Sequence, residues 1–372
     1  SFVHIDDGLP ALQPSKQRRN LYERVTQRFR IRKDGSLEGD VTDSQFATRS
    51  YPMPIWHRRL VFVLFNLLVL FYILPIPLLT FLTWYFWSSA RWIPLLLTVS
   101  IGLYLRFSPI SLWREPFQYA WYYCQYNYFS FRFVYHSSVK DYINHQLLNH
   151  AGYKSLIIFG VPHAIFPYAI QLFPPLAKDV LNKPVVACMA DVLYQLPIVR
   201  QLFSWNGAIS AGKKSIINAL SKGYNVGLVA DGIAGMFVNN DQNENILLKN
   251  RKGLAKLALQ TGISIVPCYG FGNTDLFEPY FDSSGIMKTL SRKLKMSIIA
   301  FAGKYWTFAP DRMPLYFVMG AVIANPNNGE PIEKPTQKQI NDFHQTIMEH
   351  LRVLFDSHKG FYGWQQKQIN FI

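Results

Sequence analysis

Residues 60–87 read LVFVLFNLLVLFYILPIPLLTFLTWYFW, twenty-eight consecutive residues without a charge. A helix crossing a bilayer needs about 20 predominantly apolar residues, and few water-soluble cores use a longer uncharged run. Pro75 and Pro77 interrupt the run near its middle, which predicts a kinked span or a re-entrant hairpin. After Arg91 a shorter apolar run follows, from Trp92 to Leu105. Arg58 and Arg59 precede this region and Arg106 and Arg114 follow it, so both ends belong on one, cytoplasm-like side. Trp56, Trp84, Trp87 and Trp92 fall where interfacial aromatics belong. Residues 60–106 therefore read as a membrane hairpin, the alternative being a pair of buried core helices.

Charged residues make up 16% of the 372-residue chain, against a usual ~25%, and aromatics also make up 16%, as in a protein that touches lipid. The net charge of +15 favours anionic partners such as a phospholipid surface or the phosphates of coenzyme A. No nucleic-acid-binding module accompanies the charge, so nucleic acid is not expected as a partner. Cys124, Cys188 and Cys268 are far apart and sit among apolar neighbours, which reads as buried free thiols rather than disulfides or a metal site. Residues 1–59 form a polar, basic arm with no apolar pattern of its own, Arg-rich over 16–33. Such an arm becomes ordered only against a membrane surface or another membrane-protein subunit. The first residue is Ser rather than Met, as after removal of an initiator or of an organelle-targeting segment.

Residues 107–372 read as an α/β domain. Leu156–Phe159, Val185–Met189, Val226–Ala230, Ile263–Tyr269 and Leu315–Ile323 have strand character. Helical stretches such as Lys213–Lys222 and Arg251–Thr261 lie between them, which predicts a sheet flanked by helices. Thr336 with Gln339 makes a capping-box pattern, and Ile340, Phe343, Ile347, Leu351, Leu354 and Phe355 then line one helical face.

In an open α/β sheet, functional groups collect outside the carboxyl ends of strands. Three such ends are unusual here. His163 follows Val161-Pro162, Asp231 opens a glycine-containing turn through Gly235, and Gly270, Gly272 and Asn273 form a turn after the Ile263–Tyr269 run. Lys249, Arg251 and Lys252 open a helix-like run, a place where cations oppose the helix dipole and where a bound anion would account for them. Singly, each has a plain alternative: a structural histidine, a turn aspartate, a loop, a solvated charged face.

Together and in this order they resemble the type-2 diacylglycerol acyltransferase family, which includes monoacylglycerol and wax-ester acyltransferases. The block from Lys249 to Phe271 is similar to the family's basic-helix and Val-Pro…Phe-Gly segment, and the likeness runs from about Trp113 through Phe361. The family's His-Pro-His-Gly signature falls on Val161-Pro162-His163-Ala164, and its second histidine, the catalytic base, on His163. The family's Gly-Gly-x-x-Glu segment falls on Asp231-Gly232-Ile233-Ala234-Gly235, so its glutamate position holds Gly235. The wider glycerolipid acyltransferases place an aspartate four residues after the histidine; here that position is Pro167.

The resemblance implies a glycerolipid-acyltransferase-like mixed sheet preceded by the membrane hairpin. It implies a membrane-bound O-acyltransferase that uses acyl-CoA as co-substrate and no cofactor, acting on a lipid hydroxyl such as that of diacylglycerol. His163 is then the base, oriented by Asp231 or Asp191. Lys249, Arg251 and Lys252 take the CoA phosphates. The Gly270, Gly272 and Asn273 turn, or the helix start after His163, holds the oxyanion. The two departures from the signature open a second reading: a degenerate member serving as a structural or lipid-binding subunit of a larger membrane complex. The resemblance points to the endoplasmic reticulum, and an Arg-rich, trimmed N-terminus to a mitochondrial inner membrane.

Overall fold

The computed structural model describes residues 30–31, 37–38, 50, 53–107, 115–149, 154–196, 199–204, 207–238, 242–282, 284–294 and 296–372. The expected basic arm, with the partner it calls for, and Arg114 lie largely or wholly outside these residues. Two short strands come first, β1 (Arg30–Ile31) and β2 (Leu37–Glu38). The apolar run forms α1 (Ile55–Ile73), α2 (Pro75–Ser88) and α3 (Trp92–Phe107). Then follow α4 (Glu115–Tyr128), β3 (Arg132–His136), α5 (Ser137–Asn149), β4 (Ile157–Val161), α6 (Tyr168–Leu172), α7 (Pro174–Leu181) and β5 (Val185–Met189). Next are α8 (Asp191–Gln195), α9 (Val199–Ser204), β6 (Ala208–Ser210), α10 (Lys213–Ser221), β7 (Asn225–Val229), β8 (Glu244–Ile246), α11 (Gly253–Thr261) and β9 (Ile265–Phe271). The chain continues through β10 (Glu278–Tyr280), α12 (Ile286–Leu294), β11 (Ala300–Ala302), β12 (Tyr316–Met319), α13 (Gln337–His358) and β13 (Ile369–Phe371).

Nine strands form one mixed sheet in the order β2-β1-β3-β12-β9-β4-β7-β5-β6. The five from β9 to β6 run parallel, and β12 turns the direction by pairing antiparallel to β9. The predicted strands are present with ends shifted by a residue or two. The exception is Leu315–Ile323, where the ladder stops at Met319 and a single bridge, Ile265 to Ile323, closes the rest. β3 and β6 were not among the sequence expectations.

Both faces are covered, as alternation along β4 requires. Ile157, Phe159 and Val161 face a layer containing α10, α11 and α13, while Ile158 faces the layer of α4, α6 and α7. The α13 capping box forms as its sequence predicts: the Thr336 hydroxyl accepts from Gln339 N at 3.2 Å and Gln339 Oε1 accepts from Thr336 N at 2.8 Å. All six residues of its apolar face are buried.

The apolar run breaks where its prolines stand. Pro75 opens α2 and has no N–H for the preceding turn, and the two helices meet at 47°. Among the described residues no single helix is long and apolar enough to cross a membrane; Ile55–Phe71 and Pro75–Ser88 reach that length only as a bent pair. Within residues 60–106, α1 is docked on the α/β domain through buried Val61 and Phe65. The Phe65 ring lies 5.2–6.0 Å from those of Trp121, Tyr128, Phe129 and Tyr168. Burying one such side chain contributes about 1.5–3 kcal/mol, which ties α1 to the domain. The hairpin proper is α2 and α3, packed on each other with Trp87 and Trp92 edge to face across the turn. Its large side chains, including Leu78, Phe81, Trp84, Ile93 and Leu96, remain exposed.

Candidate active site

Three parallel neighbours in the sheet end side by side. Gly160 of β4 pairs with Val229 of β7, and Val161 of β4 pairs with Tyr269 of β9. The chain leaving β4 therefore runs between the residues just past β7 and those just past β9. That register sets His163 between Asp231 on one side and Asn273 on the other.

The main-chain N–H of His163 donates a bifurcated bond to both Asp231 carboxylate oxygens, at 3.1 and 3.0 Å. Asp231 is fully buried. Burial pushes its carboxyl above the usual range, and His163 and the Arg251 guanidinium oppose that shift. Asn273, also buried, holds the loop from the far side: its amide nitrogen reaches the Pro162 and His163 carbonyls, each at 3.3 Å, and its Oδ1 accepts from Ala169 N at 3.1 Å. The Val161–Pro162 peptide is cis, and Ala164 has φ 49°.

The half-buried imidazole places Nδ1 2.8 Å from the Ala164 carbonyl oxygen. A carbonyl only accepts, so Nδ1 carries the proton and a neutral ring has its lone pair on Nε2. Where a carboxylate was expected at the ring, the structure places the Ala164 carbonyl. Asp231 fixes the backbone of His163, and the Ala164 carbonyl fixes the tautomer. Asp191 has no bond to His163 here; its carboxylate accepts from the Ser210 hydroxyl at the β5–β6 end of the sheet.

The turn expected to hold an oxyanion is closely packed through its side-chain positions. Asn273 spends its amide on the His163 loop. Gly270 lies so close under Ala169 that a Cβ there would fall 2.6 Å from the Ala169 Cβ, and Gly272, with φ +83°, would meet the Tyr362 hydroxyl at 2.1 Å. At the helix start after His163, the Tyr168 and Ala169 amides already donate to Phe166 O and Asn273 Oδ1.

The three cations part company. Arg251 packs over Gly232, where a Cβ would meet its Nη1 at 2.9 Å, and so faces the Asp231 turn. Lys252 reaches away to Asn341 Oδ1 of α13 at 2.8 Å, and Lys249 is exposed, its carbonyl facing His344 Nε2 at 3.2 Å.

Two features were missed from sequence. Glu244 is buried behind β9 and accepts from Tyr269 Oη at 2.7 Å and Thr274 Oγ1 at 3.1 Å, with Lys367 Nζ at 3.3 Å. Its burial drives its carboxyl upward against the pull of Lys367. Nothing in the local pattern around Glu244 marks it, because its partners come from residues up to 123 positions away. The close packing at Gly235 is the second: a Cβ there would fall 2.4 Å from Asp231 Oδ2. A cavity of about 490 Å³ lies elsewhere, between α2 and α3, lined by residues including Thr83, Trp87, Thr98 and Gly102, and shares none with this site.

A mixed sheet carrying a backbone-pinned histidine at a strand end, beside a buried aspartate, is the framework on which the comparisons fall. The chain belongs to the diacylglycerol acyltransferase family, whose model matches residues 112–371. It is 29% identical over 246 residues to diacylglycerol O-acyltransferase 2 of Mus musculus, covering 60% of this chain and 61% of that protein. It is 32% identical over 187 residues to 2-acylglycerol O-acyltransferase 1 of Bos taurus, covering 46% and 53%. With acyl-CoA wax alcohol acyltransferase 2 of Homo sapiens the identity is 25% over 240 residues, covering 58% and 69%. The chain thus spans between about half and two thirds of the length of these relatives. No solved structure matches.

Proposed function

We propose that this chain is a membrane-bound acyltransferase that moves a fatty acyl group from acyl-CoA to the hydroxyl of a glycerolipid such as diacylglycerol. The observation that carries this is the tautomer of His163. With Nδ1–H held by the Ala164 carbonyl, Nε2 is the free basic nitrogen of a partly accessible ring in a family-matched domain. Nε2 takes the proton of the acceptor hydroxyl as its oxygen attacks the thioester carbonyl. The tetrahedral intermediate collapses, the C–S bond breaks, and the imidazolium returns its proton to the departing CoA thiolate. Asp231 and Asn273 serve by holding the His163 loop from two sides, and Gly270 and Gly272 by letting the wall behind it close up. Arg251 supports the Asp231 turn, and exposed Lys249 is left for the CoA phosphates, with Lys252 joining it on release from Asn341.

Helix α2, at 14 residues, reaches about 21 Å, short of a ~30 Å hydrocarbon core. With α1 docked on the domain, α2 and α3 fit a re-entrant hairpin set in one leaflet, and the family resemblance points to the endoplasmic reticulum. The second reading, an inactive scaffold subunit, drew on the vacant glutamate position at 235. That space is filled by the Asp231 carboxylate, which favours the enzyme.

The test is acyl transfer from labelled acyl-CoA to diacylglycerol by the purified chain, wild type against His163→Ala. The variant should lose ~10²–10⁴-fold in rate, the usual contribution of a positioned general base, with unchanged circular dichroism. Full activity in the variant removes His163 from the chemistry, and a wild type that transfers no acyl group removes the function.

A further inference from the structure

The β10–α12–β11 excursion and the corner after it carry a surface that the acyl-transfer chemistry does not use. Ile286, Leu290 and Leu294, four apart on α12, are 59%, 40% and 48% exposed. Helical spacing sets them along one outward stripe. Lys293 lies beside that stripe, Lys288 and Arg292 stand on the opposite, polar side of the helix, all three are exposed, and the helix has no acidic residue. Its preceding acid, Asp282, is occupied in capping: its carboxylate accepts from Ser284 Oγ and from the Ile286 and Met287 amides. On the inner side Ser291 is buried and bonded to Ile298 N at 2.8 Å, so the helix is fixed by one face and bare on the other.

A second element lies beyond β11. Tyr305 and Trp306 both adopt left-handed backbone conformations, with φ 55° and 61°, and are 76% and 79% exposed, the highest values among the large aromatics described. This corner is tied to the apolar run. The Tyr305 ring meets Phe62 of α1 edge to face at 6.0 Å, and Phe308 N donates to Asn66 Oδ1 of α1 at 3.0 Å. The Trp306 ring in turn stacks on Tyr280 at 6.0 Å, at the start of the α12 excursion. The exposed apolar surface is therefore continuous in structure with the helix that leads into the hairpin.

We infer that α12 and the Tyr305–Trp306 corner form a second lipid contact, docking on an anionic phospholipid surface beside the hairpin. A helix with an apolar stripe and a basic polar side, accompanied by an exposed Trp–Tyr corner, is the composition that seats in a headgroup layer. The basic polar side favours anionic headgroups over neutral ones, and the +15 net charge acts in the same sense. The contact also bears on the site, because α12 packs on the short 3-10 turn Ile233–Phe237, which begins two residues after Asp231. Phe237 touches Phe281 at 5.9 Å, and Met236 Sδ lies 3.4 Å from Ser297 Oγ. Lipid bound at α12 thus sits one packing layer from the carboxylate that holds His163. The inference rests on the membrane reading proposed above.

The full chain is reconstituted into phosphatidylcholine–phosphatidylserine vesicles, with a polarity-sensitive fluorophore on Leu290→Cys and, separately, on Val353→Cys. Val353 is exposed on α13, in the opposite layer. The probe at 290 should shift to the blue and be quenched by a lipid-borne quencher, while the probe at 353 stays in water. Pure phosphatidylcholine, or the Lys288→Glu, Arg292→Glu, Lys293→Glu triple variant, should lose most of that shift. A 290 probe that remains in water, or a 353 probe that shifts equally, overturns the inference, and a shift independent of phosphatidylserine overturns its anionic part. The readout requires no acyl transfer. A chain that transfers acyl groups with residue 290 in water sinks only this contact, and one that inserts residue 290 but transfers nothing sinks only the enzyme.

Discussion

The Asp231 carboxylate occupies the space that a side chain at position 235 would need: a Cβ on Gly235 would lie 2.4 Å from Oδ2 and 2.8 Å from Cγ of Asp231. Asp231 and a residue larger than glycine at 235 exclude one another. Gly235→Glu, which restores the family residue, should therefore disrupt the turn by about 1–3 kcal/mol, the usual cost of overpacking, and abolish activity. In the Asp231→Gly, Gly235→Glu double variant the carboxylate has room again, and the activity should exceed that of either single change. Thermal unfolding and acyl-transfer rates on the four proteins measure the coupling. Additive losses would show that the two positions do not share one acid.

Asn273 is held to both sides of the His163 loop through one side chain. Asn273→Ala leaves the Pro162 and His163 carbonyls and the Ala169 amide without their partner, a loss of about 1–3 kcal/mol in stability. The displaced loop should cost roughly 10²-fold in turnover. Asn273→Asp keeps the acceptor for Ala169 but turns an oxygen toward two carbonyls. It should be worse than alanine in turnover despite its near-identical shape, and an aspartate variant as active as wild type would show that the amide donors do not position the loop.

Arg251 pulls the pKa of Asp231 down against the upward push of burial. Arg251→Gln should let the Asp231 pKa climb further, moving the acid limb of the pH–rate profile to higher pH. Lys252→Ala should leave that limb in place, because the Lys252 amine is directed to Asn341. Profiles of kcat/KM for the two variants separate a turn-supporting arginine from a simple phosphate contact.

His358 supplies a stability test apart from the site. Burial, with a smaller push from His136, lowers its pKa from 6.5 to about 4, and the Tyr316 hydroxyl faces its Nδ1 at 3.0 Å. The folded state holds the proton less tightly than the unfolded state, so between pH 6.5 and about 4 the unfolded chain binds more protons. Stability is complete above pH 6.5 and falls as the pH drops through this window, by on the order of 3 kcal/mol from this group. Replacing His358 by glutamine should flatten that part of the stability–pH curve. Denaturant midpoints measured across the window decide it.

Elements that depend on local pattern were legible in the chain. Val185–Met189 coincides with β5, the Thr336–Gln339 box opens α13, and the pair of prolines breaks the apolar run at residue 75. The order His163, Asp231, Asn273 was legible too, but through likeness to a family rather than through anything local. A histidine after proline and an aspartate before glycine look alike whether they work or merely turn the chain. β3 escaped because its strand character is masked by the aromatic-rich stretch around it, and α12 because its apolar residues face outward, where no core pattern needs them. The roles within the site were less legible than its members. Asp191 and Asp231 follow neighbouring strands, and only the hydrogen bonds separate them: one holds Ser210, the other His163.

By itself the order of residues determined an apolar hairpin, a helix-covered sheet and the family to which the domain belongs, because these follow from periodicity, proline and motif spacing along the chain. Which nitrogen of His163 is free, which acid stands behind it, why residue 235 is glycine and that α1 belongs to the domain were decided only in three dimensions. The acid behind His163 and the docking of α1 depend on strand register and on contacts between segments far apart in the chain, while the free nitrogen and the glycine at 235 depend on how the backbone turns at those points, which the residue types alone do not fix.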